Sequence, residues 1–507
     1  VIMEQVELDI HRYDWSRFSQ QEANEKVDRL LIDDRNMGFN FRRPNVMRLS
    51  WIVLPEGNFK LVWSFHHILL DGWSMPVVFG EWFTIYEDLV KQRETQLHQP
   101  ARYQDFIAWI SRQDNDKAGQ FWHKYLSGFT ATTPIAVKNS FAVAQHNADN
   151  PATEGQYQEQ SVMISGRLLE GLQSLAKQHR LTLNNIMQGV WAILLRRYSG
   201  ESDVLFGTTV SGRPAELQGI ESMVGLFINT LPMRMRVADD QSFIDWLQEE
   251  QVQQSEIKNY EYSSLVEIQK QSELTAKQAL FESILVFENY PIDESLEETQ
   301  ASLSVGSVGA FQQTNFPLTI IFIPGKEMEL RVSYDGYLFE ADTIGRMMGH
   351  VERLLQCIEA EPDIQIGQLP LITEAEQQQL VYDWNRTERV FAFERTVSEH
   401  FEAHVQARPD MMACEFGDKK VTYEKLNRRV NRLAHQLLDD GIQRGDLVAV
   451  CLDRSMEMIE AILAVLKVGA AYVPIDTSYP DDRVEYMLAE TQAPIFIVAE
   501  KFLDHYD

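Results

Sequence analysis

Cysteine is scarce in this sequence, which contains only three in 507 residues. They are Cys357, Cys414 and Cys451, an odd number placed far apart, so they do not form the spacing pattern of a disulfide framework. Free thiols of this kind are typical of proteins that stay in the reducing cytoplasm. We therefore expect a cytoplasmic protein whose thiols are buried and inert.

Basic residues are also few, because 46 lysines and arginines stand against 75 aspartates and glutamates, giving a formal net charge of −29. Nucleic acids and anionic membranes both bind basic surfaces, so neither is expected as a partner. A long apolar run is absent too, since the most apolar stretch, 458–475, contains Glu460 and Lys467. It is too short and too charged to span a bilayer, and no signal peptide is evident.

The sequence does contain ample core material, with 44% hydrophobic residues over a length typical of about three or four domains. Its most informative segment is 66–72, which reads His-His-Ile-Leu-Leu-Asp-Gly. The residues before it alternate between apolar and polar, which predicts a half-buried strand over 59–66. Neighbouring strand residues point to opposite faces, so only one of His66 and His67 can reach a given substrate. The pattern alone does not choose between them.

A helix is predicted directly after this segment, over 75–92. Ser74 has the side chain of an N-cap, and Pro76 falls in the first turn, where proline is well tolerated. The positive end of the helix would lie beside an imidazole, and we expect its free amides to help hold an oxyanion. Two imidazoles with an Asp-Gly turn just after them indicate an acyl-transfer site.

The segment 66–72 resembles the His-His-x-x-x-Asp-Gly motif that defines condensation domains of nonribosomal peptide synthetases. Chloramphenicol acetyltransferase and dihydrolipoyl acyltransferases share the motif, so by itself it indicates only the superfamily. Three further condensation-domain motifs are resembled, in the right order, by 103–109, by 211–214 with 223–232, and by 281–290. The resemblance implies an α/β fold, with two layers in each of two chloramphenicol-acetyltransferase-like lobes in a V arrangement.

Beyond about residue 395 the sequence resembles the opening half of an adenylation domain. The stretches 421–426 and 466–476 resemble its first two motifs, which implies a partial α/β adenylation core. The Gly/Ser/Thr-rich phosphate-binding loop is missing and no Walker-type motif replaces it, so no nucleotide chemistry is expected. ATP and Mg²⁺ would serve only a complete adenylation domain. The condensation part is expected to be incomplete at its front, where the family has two further motifs and an arginine-bearing helix.

These patterns predict four parts: an N-lobe over 1–125, a C-lobe over 126–359, a linker over 360–394 and an adenylation fragment over 395–507. Within the N-lobe the predicted helices are 20–33, 75–92, 103–112 and 117–126, and the predicted strands are 47–54 and 59–66.

Polar composition predicts a crossover loop over 126–156, and a second polar stretch, 294–313, is expected by resemblance to precede the strand that latches one lobe over the other. Thr182 is predicted to cap a helix that carries Ile186, Val190 and Ile193 on one face. Gly441 is predicted to end another helix before a strand over 447–451.

The resemblance implies that the protein forms peptide bonds between a donor aminoacyl or peptidyl thioester and the amine of an acceptor aminoacyl thioester. Both substrates would be carried on 4′-phosphopantetheine arms of donor and acceptor peptidyl carrier protein domains, next to an adenylation domain. No cofactor would then be bound by the chain itself. The residues at 69–73 and 223–227 resemble those of the condensation-domain subtype that takes a donor ending in a D-residue and an L-acceptor more than those of the all-L subtype.

By the same resemblance, His67 is the histidine that faces the tunnel between the lobes. It would take a proton from the acceptor amine or orient that amine, and an imidazole can accept a proton near neutral pH. The alternative for His67 is a core histidine with a satisfied hydrogen bond. For His66 the favoured interpretation is structural.

Asp71 could orient the imidazole as in a hydrolase triad, but it lies past a turn. The resemblance points instead to a buried, bidentate pair with Arg213 of the other lobe. Gly72 is interpreted either as a simple turn glycine or as a point of close approach to the thioester. Trp73 and Asn229 complete the predicted site, Asn229 in the tunnel floor. The helix with Tyr103, Asp105 and Trp109 is expected to serve mainly packing.

Three other hypotheses remain. An epimerisation domain shares the two-histidine motif but is not expected before an adenylation domain. A metal site built from His66, His67 and Asp71 is disfavoured because adjacent strand residues diverge and no further ligand cluster is evident. A non-catalytic scaffold domain of a synthetase is the third.

Overall fold

The computed structural model describes residues 7–43, 45–135, 137–138, 157–275, 278–288, 309, 314–390 and 395–500. Contacts divide the chain into two units, Val1–Asp383 and Trp384–Asp507. Each unit has its own hydrophobic core and is described separately.

The first part of unit one is built around a three-stranded sheet of order β1-β2-β3, with β1 parallel and β3 antiparallel to β2. The strands are β1 Asp9–Asp14, β2 Met47–Val53 and β3 Phe59–Phe65, and the helices are Gln20–Met37 and Ser74–Val90. Burial alternates along β2, which follows from the two-residue period of a strand with one buried face. The predicted strands and helices are found, with the first helix four residues longer at its end.

The rest of unit one surrounds a six-stranded mixed sheet of order β4-β9-β8-β7-β5-β6. Its strands are β4 Tyr157–Ile164, β5 Asp203–Val210, β6 Asn229–Arg236, β7 Ser283–Phe287, β8 Leu318–Pro324 and β9 Met328–Asp335. Its helices are Gly166–His179, Leu183–Ser199, Phe243–Ile257, Leu265–Lys270 and Ala341–Ala360, with single-turn 3-10 helices at Ile220–Ser222, Lys258–Tyr260 and Ile366–Gln368.

The helix Leu183–Ser199 is buried in the largest core and begins as predicted. Thr182 accepts a hydrogen bond from the amide of Asn185, whose side chain in turn accepts from the Thr182 amide, forming a capping box. Gly200 follows with a positive φ of 80° and ends the helix.

The predicted boundary between the lobes at residue 125 does not match the packing of two helices, Tyr103–Ile110 and Asn115–Leu126. Trp122 and Leu126 are buried in the core of the six-stranded sheet. Phe106 packs with Phe227 in a smaller cluster. Both helices therefore pack with residues of the predicted C-lobe.

The predicted start of the linker at residue 360 also does not match the packing, because residues after it belong to the core of unit one. Ile366 and Leu369 are buried in the core of unit one, and a bridge joins Ser242 to Gln365. The short helix Glu374–Gln377 and a π-helical turn, Gln378–Asp383, then complete this unit. Prolines and acidic residues predict a linker over 360–394, whereas Ile366 and Leu369, with Ile364 and Leu371, pack its first part against the core of unit one.

Unit two contains a two-stranded sheet, β10 Met412–Phe416 and β11 Lys419–Thr422, and a parallel sheet of order β13-β12-β14. The parallel strands are β12 Leu447–Cys451, β13 Ala471–Pro474 and β14 Ile495–Val498, and the helices are Val397–Ala407, Tyr423–Asp439, Met456–Lys467 and Asp481–Thr491. Gly441 follows the second helix with a φ of +94°, as predicted for a helix-ending glycine.

Two predictions fall largely outside the described residues, namely the crossover loop over 126–156 and the polar stretch 294–313. Among the thiols, that of Cys451 is buried, and Cys357 and Cys414 are partly buried. Across the described part of the chain, no helix combines the length and apolar character needed to cross a membrane.

Candidate active site

The two histidines lie at the end of β3, which stops one residue earlier than predicted. The amide of His66 donates to the Val46 carbonyl at 3.0 Å, and its carbonyl accepts from Leu69 at 3.0 Å. Its Nδ1 accepts from the amide of Ile68 at 3.1 Å. His66 thus shapes the turn through both its backbone and its ring, and His67 is the next residue within that turn.

The rings of the two histidines have different surroundings. His66 makes edge-on contacts with Phe39 and Phe41, with centroid distances of 6.5 and 4.7 Å. Both histidines are exposed, but the His67 ring has one aromatic contact among the described residues, with Phe65 at 6.1 Å. No described residue forms a hydrogen bond to the His67 side chain. These contacts support a structural role for His66 and leave the His67 imidazole free to meet a substrate.

Asp71 is 1% exposed and accepts hydrogen bonds with both carboxylate oxygens. Oδ1 lies 3.0 Å from the Ser74 amide, 2.9 Å from its hydroxyl and 3.2 Å from Nη2 of Arg213. Oδ2 accepts from the amides of Phe227 and Ile228 at 3.0 and 3.4 Å. The carboxylate therefore ties the histidine turn to a loop of the six-stranded part.

The contact expected between Asp71 and Arg213 is present, but the bidentate geometry was wrong. Arg213 uses only Nη2 for Asp71, while Nη1 donates to the carbonyls of Ile220 at 2.6 Å and Met223 at 3.1 Å. Its guanidinium also lies over the ring of Phe227, 4.0 Å from the centroid. Backbone carbonyls compete for the second donor, and no spacing in the sequence reveals them.

Ser74 has a different role from the N-cap that the sequence predicted. It is the first residue of the helix Ser74–Val90, Trp73 occupies the half-buried cap position, and the Asp71 side chain caps the Ser74 amide. The Ser74 hydroxyl lies 3.0 Å from the Gly225 carbonyl and accepts from the Gly225 amide at 3.1 Å. A buried hydroxyl here bridges two parts of the chain, which a capping pattern does not reveal.

The amides at the start of this helix are already used. The amide of Ser74 donates to Asp71 and that of Met75 to the Gly72 carbonyl at 3.2 Å, while Pro76 has no N–H. The expectation that they hold an oxyanion is therefore wrong. Gly72 is buried in the turn, and its backbone is not in the left-handed region, so the turn itself does not demand glycine.

Tyr103 belongs to the same cluster, although the sequence predicts mainly a packing role for its helix. Its hydroxyl donates to the Leu226 carbonyl at 2.6 Å. A Cβ on Gly225 would lie 2.2 Å from the Tyr103 ring, so only glycine fits there. Burial, and then the negative charge of Asp71, raise the pKa of the Tyr103 phenol. Segments 66–74, 103–109, 211–214 and 223–232 therefore meet at one place.

Asn229 lies next to this cluster, at the start of β6. Its Nδ2 donates to the carbonyls of Glu261 and Ser263 at 2.8 and 2.7 Å, and its Oδ1 accepts from the Thr230 amide at 2.9 Å. These contacts hold the loop 261–263 beside the strand. The structure thus gives Asn229 a clear positioning contact near the predicted site.

The side chains of His66, His67 and Asp71 do not converge as metal ligands would. The Asp71 carboxylate is taken up by Ser74, Arg213 and backbone amides. Nowhere in the described ranges do three or more His, Cys, Asp or Glu side chains gather as potential metal ligands.

In unit two, the two adenylation-like stretches serve local structure. Thr422 caps the helix Tyr423–Asp439 through the Lys425 amide. Lys467 is 9% exposed at its side chain and donates to Glu402, Asn427 and Asn431 at 2.5, 2.9 and 2.7 Å. One ammonium thus joins three helices.

Comparison with protein families agrees with this geometry. Residues 1–381 match the model described as "Condensation domain", and residues 401–506 match the model described as "AMP-binding enzyme". The class defined by fold and site is an acyltransferase-type enzyme of the nonribosomal peptide synthetases. The chain belongs to the condensation-domain family and continues into the first part of an AMP-binding enzyme.

Curated relatives match almost the whole chain. One of the linear gramicidin synthase proteins of Brevibacillus parabrevis is 40% identical over 505 residues, which covers 99% of this chain and 10% of the relative. Bacitracin synthase 3 of Bacillus licheniformis is 35% identical over 510 residues, covering 99% of this chain and 8% of the relative. The chain spans about a tenth of the length of these relatives.

Solved structures show the same fold. A four-domain nonribosomal peptide synthetase bound to AMP and glycine matches with a TM-score of 0.75 at 19% identity, over 99% of this chain and 38% of that chain. The first condensation domain of the calcium-dependent antibiotic synthetase matches with a TM-score of 0.55 at 14% identity, over 72% of this chain and 78% of that one. At these identities the likeness concerns the fold alone.

Proposed function

We propose that this chain forms a peptide bond between two substrates carried on the phosphopantetheine arms of donor and acceptor carrier domains, beside an adenylation domain. Family membership supports the reaction type. The observation that carries the proposal is the exposed imidazole of His67 on a turn that the buried Asp71 anchors. An imidazole without a hydrogen-bond partner, on a turn that is firmly held, is the arrangement that a positioned acid–base group requires.

The reaction asks little of the protein besides position. The acceptor amine nitrogen attacks the donor thioester carbonyl carbon, the C–S bond breaks, and the donor arm leaves as a thiol. The amine loses one proton and the thiolate gains one. His67 takes that proton from the amine, or orients the amine for attack by accepting its hydrogen bond. No cofactor is consumed, and ATP with Mg²⁺ would serve only the activation of the amino acid.

The test is His67→Ala in the intact protein, supplied with donor and acceptor carrier domains loaded with amino acids. Intact-protein mass spectrometry of the acceptor carrier measures dipeptide formation. We expect a loss of about 100-fold or more, as for removal of a positioned acid–base group. His98→Ala is the matched control, because His98 is also exposed and forms no described side-chain contact.

Equal turnover by wild type and His67→Ala would overturn the proposal and favour a scaffold role. Chiral analysis of the product separates epimerisation from condensation, since an epimerase changes the configuration of a carried residue without lengthening it.

We further propose that the donor ends in a D-residue and the acceptor is an L-residue. This assignment rests on the amino-acid sequence of 69–73 and 223–227, which resembles that subtype. Segment 223–227 lies against the turn, because Gly225 and Phe227 bond to Ser74 and Asp71. Parallel assays with D- and L-terminated donors on the same carrier test the assignment, and faster turnover of the L-donor would reject it.

A further inference from the structure

A buried charge cluster lies beside the end of β3 that leads into the histidine turn. Arg48 is 7% exposed, and its Nε donates to the Asp34 carboxylate. Its Nη1 donates to the Gly38 carbonyl at 2.8 Å, and the second carboxylate oxygen of Asp34 accepts from Ser64 at 2.6 Å. The cluster joins the end of the helix Gln20–Met37 to both β2 and β3.

The segment 38–43 that leaves this helix runs from the cluster to the first histidine. The Arg48 guanidinium lies over the Phe39 ring, 4.4 Å from its centroid. Phe39 and Phe41 then contact the His66 ring edge-on, with interplanar angles of 87° and 85°. Edge-to-face contacts between aromatic rings favour particular relative orientations of the two rings. Arg48 and His66 are thereby connected through aromatic rings.

Phe41 contributes little to the core, because it is 62% exposed. An exposed phenylalanine stabilises a fold only weakly, so its contact with His66 is better explained by orientation than by stability. His66 Nδ1 in turn accepts a hydrogen bond from the Ile68 amide. This hydrogen bond holds the backbone on the C-terminal side of His67. Moving the His66 ring would therefore move the His67 imidazole.

We propose that Phe41 and Phe39, held by Arg48, are positioning residues that orient the His66 ring and thereby place the His67 imidazole for catalysis. This inference rests on the proposed function of His67. A displacement of about 1 Å at a reacting group can lower a rate by up to about 100-fold, so a small shift of the turn is enough to be measured.

The test compares Phe41→Leu with Phe41→Tyr and Phe59→Leu in the intact protein. Phe59 is the matched control, because it is 41% exposed and contacts Trp51 at the other end of β3, with a centroid distance of 4.5 Å. We expect Phe41→Leu to lower kcat for dipeptide formation about tenfold with KM for the loaded carrier unchanged within about twofold. Phe41→Tyr keeps the aromatic ring and should keep the wild-type kcat. Phe59→Leu should also have the wild-type kcat.

A second measurement does not depend on turnover. Modification of His66 by diethyl pyrocarbonate, followed by tandem mass spectrometry, should become several-fold faster in Phe41→Leu and stay unchanged in Phe59→Leu. Arg48→Lys should show the same increase, since a lysine cannot stack on Phe39 while bonding Asp34 with a planar fork.

Wild-type kcat and wild-type His66 modification in Phe41→Leu would overturn the inference. A raised KM with unchanged kcat would also overturn it, by showing that Phe41 binds the carrier. If His67→Ala keeps full activity, the proposed function fails, whereas an inactive His67→Ala with a fully active Phe41→Leu rejects only the positioning role.

Discussion

Asp71 joins two parts of unit one at the scale of a single side chain. It accepts from a hydroxyl, a guanidinium and three backbone amides, contributed by Ser74, Arg213, Phe227 and Ile228. A buried carboxylate that satisfies this many donors is costly to replace, because its removal leaves those donors buried without an acceptor. None of the hydrogen bonds that the described residues make to this carboxylate comes from His66 or His67, so a triad-like role has no support in its contacts.

Asp71→Asn is predicted to lower the free energy of unfolding of unit one by about 3 kcal/mol, because Arg213 then stays buried without a counter-charge. An asparagine amide would also place a donor against the amides of Phe227 or Ile228. Tryptophan fluorescence during urea unfolding measures the change, since Trp384 is the only one of the ten tryptophans outside unit one.

The control for this substitution is Asp28→Asn on the exposed face of the first helix, which should unfold like wild type. A variant Asp71→Asn that unfolds like wild type and has lost peptide formation would return Asp71 to a direct catalytic role.

At the scale of elements, the loop that follows β5 is held against the segment before β6. Gly212 has a φ of +60°, and a Cβ there would lie 1.9 Å from the carbonyl oxygen of Phe227. The next residue, Arg213, reaches Asp71 from this loop. The close approach of two backbones thus delivers the guanidinium.

Gly212→Ala is predicted to lower the free energy of unfolding by about 2–4 kcal/mol, through left-handed strain and a clash with backbone. Gly200→Ala is the matched control, because its φ is also positive, at 80°, and no atom lies within 4 Å of the added Cβ. Urea unfolding followed by fluorescence compares the two variants. Equal losses would mean that the loop simply relaxes away from Phe227.

The sequence predicted elements better than their partners. The alternation over 59–65 and the cap at Thr182 are local properties, so the strand and helix were found within one or two residues. The contacts of Ser74 with Gly225 join residues 151 positions apart, which no local pattern contains. The family motif supplied Arg213, but not the backbone carbonyls that take its second donor.

The same difference between local patterns and long-range contacts explains why the predicted boundaries at 125 and 360 do not match the packing. The helix Asn115–Leu126 has the apolar spacing expected of any surface helix, and only the fold decides which sheet Trp122 meets. Likewise Ile366 and Leu369 belong to a short run, 364–372, in which apolar residues are mixed with polar residues and a proline. Only the fold decides that these two side chains are buried in the core of unit one.

At the scale of the whole molecule, the charge balance of unit one includes a buried acid whose ionisation opposes folding. Glu250, on the helix Phe243–Ile257, is 5% exposed and accepts from the Arg236 amide at 3.2 Å. Burial raises its pKa from 4.5 to about 7, against the smaller opposing effects of that hydrogen bond and of the Arg236 charge. The negative charges of Asp203 and Glu249 raise it slightly further.

The folded protein therefore keeps a proton on Glu250 that the unfolded chain loses near pH 4.5. Stability from this group is present below about pH 4.5 and falls as the pH rises to about 7, by about 3 kcal/mol. Glu250→Gln should remove this slope and unfold at higher urea than wild type at pH 8. Glu256→Gln, an exposed position on the same helix, should keep it. A parallel pH profile for wild type and Glu250→Gln would contradict the prediction.

The exposure of the His67 ring has a consequence for the fidelity of the proposed chemistry. The exposed imidazole is open to water as well as to an amine, so the described part of the chain does not by itself separate aminolysis from hydrolysis of the thioester. The preference must then come from the greater nucleophilicity of the amine and from its delivery at high local concentration on a tether. A donor that waits for a slow acceptor is the one exposed to hydrolytic loss.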